Sequence, residues 1–325
     1  MKFGVEFVPY RTIDALVALA KQVEGAGFEY VWVCDHYHNR YVHSVLARLA
    51  LATKKVKLGP GVTNPYLVHP AVTAAAIATL DELSEGRAVL GISAGDPIFL
   101  STVGVEARRP LTAVREAVHI MRELLAGKRV NFNGKTFVCR GARLRFKPSD
   151  KVPIYVGGRG ARMLELAGSI ADGVLINASH HDDLRECVHH IKRGAESAGR
   201  KLKDLDVVAY MATSIHTDIA RARASARTVV AFVASSAPPS ALERHDIAAA
   251  DVERIRKKLR VGKIKDAAAA VTNRMIDAFS VCCKPTELVR HMEGLNELGI
   301  TQIVIGSPIG PEPAKAIDSI AKILL

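Results

Sequence analysis

The stretch KFGVEFVPYR (2–11) decides how the rest of the chain is read. From Phe3 to Pro9 it is apolar at nearly every position, with Phe3, Val5, Phe7 and Val8. A run that is apolar on both faces reads as a strand of a parallel sheet covered by helices on either side. One residue resists that setting. Glu6 lies near the end of the strand, and past Lys2 at its start the nearest basic residue is Arg11. An ionised carboxylate in an apolar interior is costly unless it is paired or protonated.

Working outward, seven further runs share the character of the first: YVWVCD (30–35), VKLGPGV (56–62), AVLGIS (88–93), IYVGG (154–158), VLINA (174–178), VVAYMAT (207–213) and QIVIGS (302–307). Helix-like stretches separate them at 12–26, 43–53, 71–84, 110–126, 161–171, 182–198 and 285–298. Eight Val- and Ile-rich strands alternating with helices predict an α/β fold of the (β/α)8 TIM-barrel type, as one domain over 1–325. A doubly wound open sheet is the competing arrangement. Two segments interrupt the alternation. Residues 128–150 read as a β-hairpin insertion around Asn133-Gly134, and residues 236–282 as a helical, Ala-rich, charged insertion before the last strand.

Composition narrows the function classes. The chain has 325 residues, 49% of them apolar, and no apolar run of the length a membrane span needs. The N-terminus enters a strand directly with no signal peptide ahead of it, which predicts a soluble cytoplasmic protein. The five cysteines form no C-x-x-C pair, which argues against a zinc ribbon or a disulfide scaffold and fits a reducing compartment. A net charge of +12 points to an anionic partner. The basic residues are spread along the chain without a recognition motif, so an acidic small molecule fits better than nucleic acid.

Active sites of TIM barrels lie at the C-terminal ends of the strands. Three carboxylates fall there: Glu6, Asp35 and Asp96, with the polar residues Thr63, Asn64, Asn177 and Ser179 at other strand ends. Each alone reads as readily as a helix cap or turn residue. Together they predict a site in which a desolvated carboxylic acid delivers a proton near neutral pH. Gly-rich turns close several strands: GPGVTNPY (59–66), GISAGD (91–96), VGGRGARM (156–163) and GSPIGP (306–311). Gly157-Gly158-Arg159-Gly160 precedes a helix, so its backbone N–H groups can face an anion. GISAG (91–95) matches the nucleophile elbow of α/β-hydrolases, but the residues after Asp96-Pro97 read as loop where the elbow needs a helix. The histidines of DHYHN (35–39), His43, His180-His181 and His189-His190 match no zinc signature, and no metal is expected.

At these loops the sequence resembles the luciferase-like superfamily of TIM-barrel oxidoreductases, which use flavin or the deazaflavin coenzyme F420. Within it, the archaeal F420-dependent methylenetetrahydromethanopterin reductases are the nearest likeness. KFGVEFVP (2–9), GFEYVWVCDHYHN (27–39), KLGPGVTNPY (57–66), ATLDELSEGRA (78–88), DGVLINAS (172–179), VVAFVA (229–234) with ERHD (243–246), and TQIVIGSPIGP (301–311) carry it along the whole chain. The sequence departs from the reductase pattern at SAGD (93–96), VGGRG (156–160) and NASHH (177–181), which leaves a related tetrahydropterin substrate open. The resemblance implies a non-prolyl cis peptide at Gly61–Val62 beneath the deazaflavin ring. It implies that Asp35, His36, Thr63 and Asn64 line the polar edge of the ring, and that Gly158, Arg159, Gly160, Asn177, Ala178 and Ser179 hold the phosphate and the acidic tail. It further implies a homodimer or homotetramer, and a hydride transfer from reduced F420 to a methylene-tetrahydropterin. Glu6 would be the proton donor, Asp96 would assist and Asp35 would position. The alternative is another luciferase-like enzyme, an F420-dependent alcohol or sugar dehydrogenase using His36 as base or an FMN monooxygenase. A non-enzymatic barrel that binds an anion is the remaining reading, and a buried Glu6–Arg11 pair would favour it.

Overall fold

Successive side chains of a strand face opposite sides, and in β1 (Lys2–Phe7) that parity places the site. Val5 and Phe7 pack outward into the core beneath the helices, whereas a Cβ on Gly4 would meet Tyr30 and Val304 of the interior. Glu6 shares the inward parity of Gly4. A computed structural model describes residues 1–148 and 151–325. In chain order it runs β1, α1 (Ile13–Gly25), β2 (Tyr30–Val33), α2 (Val42–Ala52), β3 (Lys57–Pro60), α3 (Pro70–Leu83), β4 (Leu90–Ile92), α4 (Pro97–Thr102) and α5 (Pro110–Leu125). A hairpin of β5 (Val130–Asn133) and β6 (Val138–Ala142) follows, then β7 (Ile154–Gly158), α6 (Ala161–Ile170), β8 (Gly173–Ile176), α7 (His181–Ser197) and β9 (Asp206–Ile215). The last part holds α8 (Ile219–Ser235), α9 (Pro239–Arg244), α10 (Ala249–Arg260), α11 (Ile264–Ala269), α12 (Asn273–Phe279), β10 (Val281–Cys283), α13 (Leu288–Met292), β11 (Gln302–Ile309) and α14 (Pro313–Leu324).

Eight parallel strands form the ring in the order β3-β2-β1-β11-β9-β8-β7-β4. It closes between β4 and β3 through the parallel bridges Leu58↔Ala88 and Thr63↔Ile92. This is the (β/α)8 barrel and not the open sheet. Tyr30, Trp32, Val89, Tyr155, Leu175, Val208 and Val304 fill the interior, and a larger core lies between strands and helices. Because bulky side chains plug the lower layers, the space for chemistry is left at the strands' C-terminal ends.

The insertions differ in detail from the sequence reading. The hairpin turns through the four residues Gly134–Phe137, with Asn133 paired to Val138. Glu116 of α5 anchors this turn by accepting the N–H groups of Lys135, Thr136 and Phe137 at 2.7, 2.9 and 3.0 Å. Residues 149–150 of that stretch lie outside the described residues. The helical insertion forms a separate apolar cluster built from α8 through α12. It ends sooner than read, since 281–283 is the strand β10, paired in parallel with the upper end of β9. The stretch 285–298 is not one helix: α13 ends at Met292, and Gly294 takes φ +75°. Residues 97–102, read as loop, are the helix α4, with Pro97 at its first turn and Asp96 as its cap.

Candidate active site

A cavity of about 970 Å³ opens at the C-terminal end of the barrel. Glu6, Asp35 and Asp96, far apart in sequence, all line it, together with His36, Gly61, Val62, Asn64, Gly158, Arg159 and Asn177. Glu6 is 7% exposed. Its Oε2 accepts the main-chain N–H of Ser307 at 2.6 Å, and its Oε1 accepts the Cys34 thiol. Among the described residues no lysine or arginine is ion-paired with it, so the Glu6–Arg11 pair of the non-enzymatic reading does not form. Burial therefore raises the carboxyl above its ordinary range, with the bonds from Cys34 and Ser307 pulling the other way.

The other two carboxyls have different surroundings. Asp35 follows β2 and accepts the Thr63 hydroxyl at 2.6 Å; burial raises its pKa against that bond. Asp96 follows β4 and caps α4 by accepting the Ile98 N–H at 2.7 Å. Burial raises its pKa too, opposed by the amides of Ile98 and Phe99. Three carboxyls with raised pKa values at one end of a barrel form a proton-holding edge. His36 faces the same space, 4.5 Å centroid to centroid from Phe99, and burial pushes its pKa down to about 4. It is a neutral imidazole at pH 7.

On the floor, the Gly61–Val62 peptide is cis, as the family likeness implied. Tyr210 of β9 donates its hydroxyl to the Gly61 carbonyl at 3.0 Å. A Cβ at Gly61 would stand 2.7 Å from that hydroxyl and 2.8 Å from Trp32 Cβ, so only glycine allows the backbone to settle this deep. On the far wall, Arg159 donates to the Val233 carbonyl at 2.6 Å and to Ser236 at 3.3 Å, with its guanidinium 5.7 Å from the Phe279 ring. Burial lowers its pKa to about 10, and among the described residues no carboxylate is ion-paired with it. Phe99 of α4 and Phe232 of α8, 5.1 Å apart, form an aromatic border.

Four residues expected to bind the cofactor do not line this cavity. Thr63 is buried and reaches the cavity only through Asp35. Gly160 is exposed at the start of α6. Ala178 lines a neighbouring cavity of about 60 Å³, and Ser179 turns its hydroxyl to the Phe279 carbonyl at 3.3 Å. Ala178 and Ser179 diverge because β8 ends at Ile176 and the chain there runs into the start of α7, so strand alternation no longer sets which residues face inward. The Asn64 side chain is occupied locally, accepting the N–H groups of Tyr66 and Leu67, both at 3.1 Å. The elbow serine, Ser93, has its Oγ accepting the Gly95 amide at 3.1 Å. Cys34, Tyr210 and Ser307 carry much of the geometry and were not read from the sequence. Their nearest signals are the Cys-Asp pair closing β2 and the GSPIGP turn.

A sequence model of luciferase-like monooxygenases matches residues 1–302. The chain belongs to the luciferase-like family. It is 45% identical over 326 aligned positions to the 5,10-methylenetetrahydromethanopterin reductase of Archaeoglobus fulgidus, covering 99% of this chain and 98% of that one. It is 44% identical to the 5,10-methylenetetrahydromethanopterin reductase of Methanolobus tindarius, with 99% of each chain covered. The solved structure of the coenzyme F420-dependent tetrahydromethanopterin reductase of Methanopyrus kandleri superposes with a TM-score of 0.91 at 38% identity, covering 99% of this chain and 97% of that one. In this luciferase-like barrel no helix among the described residues is long and apolar enough to cross a membrane. Nor do its described residues include a group of three or more His, Cys, Asp or Glu side chains placed to hold a metal ion.

Proposed function

We propose that this chain is an F420-dependent oxidoreductase that reduces 5,10-methylenetetrahydromethanopterin, or a closely related tetrahydropterin, to the 5-methyl compound. The observation that carries the reading is Glu6, a desolvated carboxyl at the cavity edge, in a chain alike from end to end to reductases of that name. The cavity suits the cofactor on three counts. Its floor is bare backbone at Gly61 and Gly157, and a Cβ on Gly157 would sit 3.3 Å from Val62 and 3.4 Å from Ser93, so a planar ring can lie close to the main chain. Its wall carries Arg159, a half-buried cation with no carboxylate ion-paired to it among the described residues, whose desolvation is offset when an anionic group arrives. Its volume, about 970 Å³, is at the upper end of the range for small-molecule sites and leaves room for a substrate beside a cofactor.

Bound there, reduced F420 supplies a hydride. The protein's task is the proton. The methylene carbon of the substrate bridges two nitrogens, and one C–N bond opens to an iminium as that nitrogen takes a proton. Glu6, whose protonated form burial favours, is the donor: its O–H bond breaks, an N–H bond forms, and the carboxylate keeps the Ser307 amide as partner. Asp96, fixed in orientation by its cap on α4, lies on the same edge, where its carboxylate form stabilises the cationic iminium. Asp35, locked by Thr63, positions cofactor or substrate. Gly61, Gly158, Arg159 and Asn177 hold the cofactor.

As the base for oxidising a hydroxyl, His36 is poorly matched, because an imidazole with a pKa of about 4 holds a proton weakly at neutral pH. The test is to titrate the protein with F420 and with FMN, then mix it with reduced F420 with and without methylenetetrahydromethanopterin. The oxidised deazaflavin absorbance should appear only with the pterin. F420 binding without that absorbance would overturn the substrate assignment.

A further inference from the structure

We propose that Cys34 is a positioning residue whose thiol, together with the Ser307 amide, fixes which oxygen of Glu6 carries the transferable proton. The proposal rests on Glu6 being the proton carrier. The geometry is a two-point grip. Oε2 takes the Ser307 main-chain N–H at 2.6 Å, and an amide can only donate, so that oxygen is committed as an acceptor. The proton of the neutral acid therefore belongs on Oε1, where the neighbour is the Cys34 sulfur. A thiol can accept weakly and donate weakly. Facing the protonated acid, the sulfur accepts from Oε1–H. Once the proton has left, the S–H rotates and donates to the carboxylate. An alanine could do neither, and a serine would do both more strongly.

The position is built for this. Cys34 is 7% exposed, directly follows β2, and lines the cavity beside Glu6. Its own ionisation is suppressed, since burial raises the thiol well above its ordinary range and the adjacent Glu6 and Asp35 push the same way. It therefore stays a neutral, two-way partner and not a competing anion. Glu6 has few other titratable neighbours. Beyond β2, Asp35 follows Cys34 and lines the same cavity, its carboxylate accepting the Thr63 hydroxyl. From β9, Tyr210 points to the Gly61 carbonyl, with burial and then Glu6 holding its phenol neutral. From β11 come the Ser307 amide and the Ser307 hydroxyl, and Arg11, in the loop after β1, is not ion-paired with Glu6 among the described residues. Two side chains thus donate to the acid, the Cys34 thiol and the Ser307 hydroxyl, and the strength of the thiol bears on how readily Glu6 gives up its proton.

The experiment uses the full-length protein with no ligand present. The carboxylic-acid C=O stretch of Glu6, identified by its loss in Glu6→Gln, is titrated by infrared difference spectroscopy in wild type, Cys34→Ser and Cys34→Ala. Cys34→Ser should move the titration to lower pH and Cys34→Ala to higher pH. Each shift should be about one unit, a tenfold change in the protonated ratio. The alkaline limb of kcat/KM should move the same way, because the acid must be protonated to act. Titrations that coincide in all three proteins, or a Cys34→Ala shift to lower pH, would overturn the role of Cys34. The wild-type reductase assay decides the functional reading separately, so failure of one is distinguishable from failure of the other. Should Cys34→Ala fold poorly, the direction of the Cys34→Ser shift alone decides.

Discussion

Replacing Glu6 by Gln removes one proton and little else. The amide has the shape of the acid, and its carbonyl can still accept the Ser307 N–H that Oε2 accepts at 2.6 Å, so the upper end of β11 keeps its tether. The lost function is the acid. A positioned general acid contributes about 10²- to 10⁴-fold, or about 3–5 kcal/mol of barrier. We therefore expect kcat of Glu6→Gln to fall by that factor in a stopped-flow assay of deazaflavin absorbance, with the F420 dissociation constant changed less than about threefold. Stability supplies a second reading of the same residue. Burial holds the native carboxyl protonated to a higher pH than in the unfolded chain. Over that interval the native state binds more protons, so wild-type stability falls as pH rises from the ordinary carboxylate range through the native pKa. Gln has no proton to lose, so Glu6→Gln should lack that decline and gain on wild type as pH increases. A near-native rate would remove Glu6 from the chemistry, and denaturation curves whose difference is flat with pH would show that the carboxyl is not held neutral.

Three further substitutions probe the surroundings. Arg159→Ala should weaken F420 binding by about 10- to 100-fold in a fluorescence titration, the loss expected when a charge-assisted contact to an anionic ligand disappears; unchanged affinity would place the anion elsewhere. Gly61→Val puts a side chain within 2.7 Å of the Tyr210 hydroxyl, and should cost about 1–3 kcal/mol in urea denaturation along with cofactor binding. Glu116→Ala strands the amides of Lys135, Thr136 and Phe137 and should destabilise by about 2–4 kcal/mol, while kcat at a permissive temperature stays at the wild-type value.

Much of the fold was legible because parallel barrel strands are short, apolar and separated by amphipathic helices, so the eight ring strands could be placed within a few residues. The failures have local causes. Three-residue β10 is too short to show a period, and α4 carries too few residues to announce itself beyond its Asp-Pro start. The break after α13 depends on the left-handed conformation of Gly294, which a helical pattern does not reveal. In the site, the carboxylates were readable as charges at strand ends. Their partners were not: Cys34 and Ser307 stand 28 and 301 positions from Glu6, and only closure of the barrel brings all three together. Ala178 and Ser179 were expected at the cofactor from the family likeness, yet the chain after β8 turns the Ser179 hydroxyl toward the Phe279 carbonyl.

On this reading, hydride passes directly from the cofactor to the methylene carbon of the substrate in this cavity. The most direct test is one turnover with reduced F420 deuterated at C5, followed by mass spectrometry of the pterin product. One deuterium in the new methyl group is the result predicted here. A methyl group without deuterium, formed while the deazaflavin is oxidised, would contradict it.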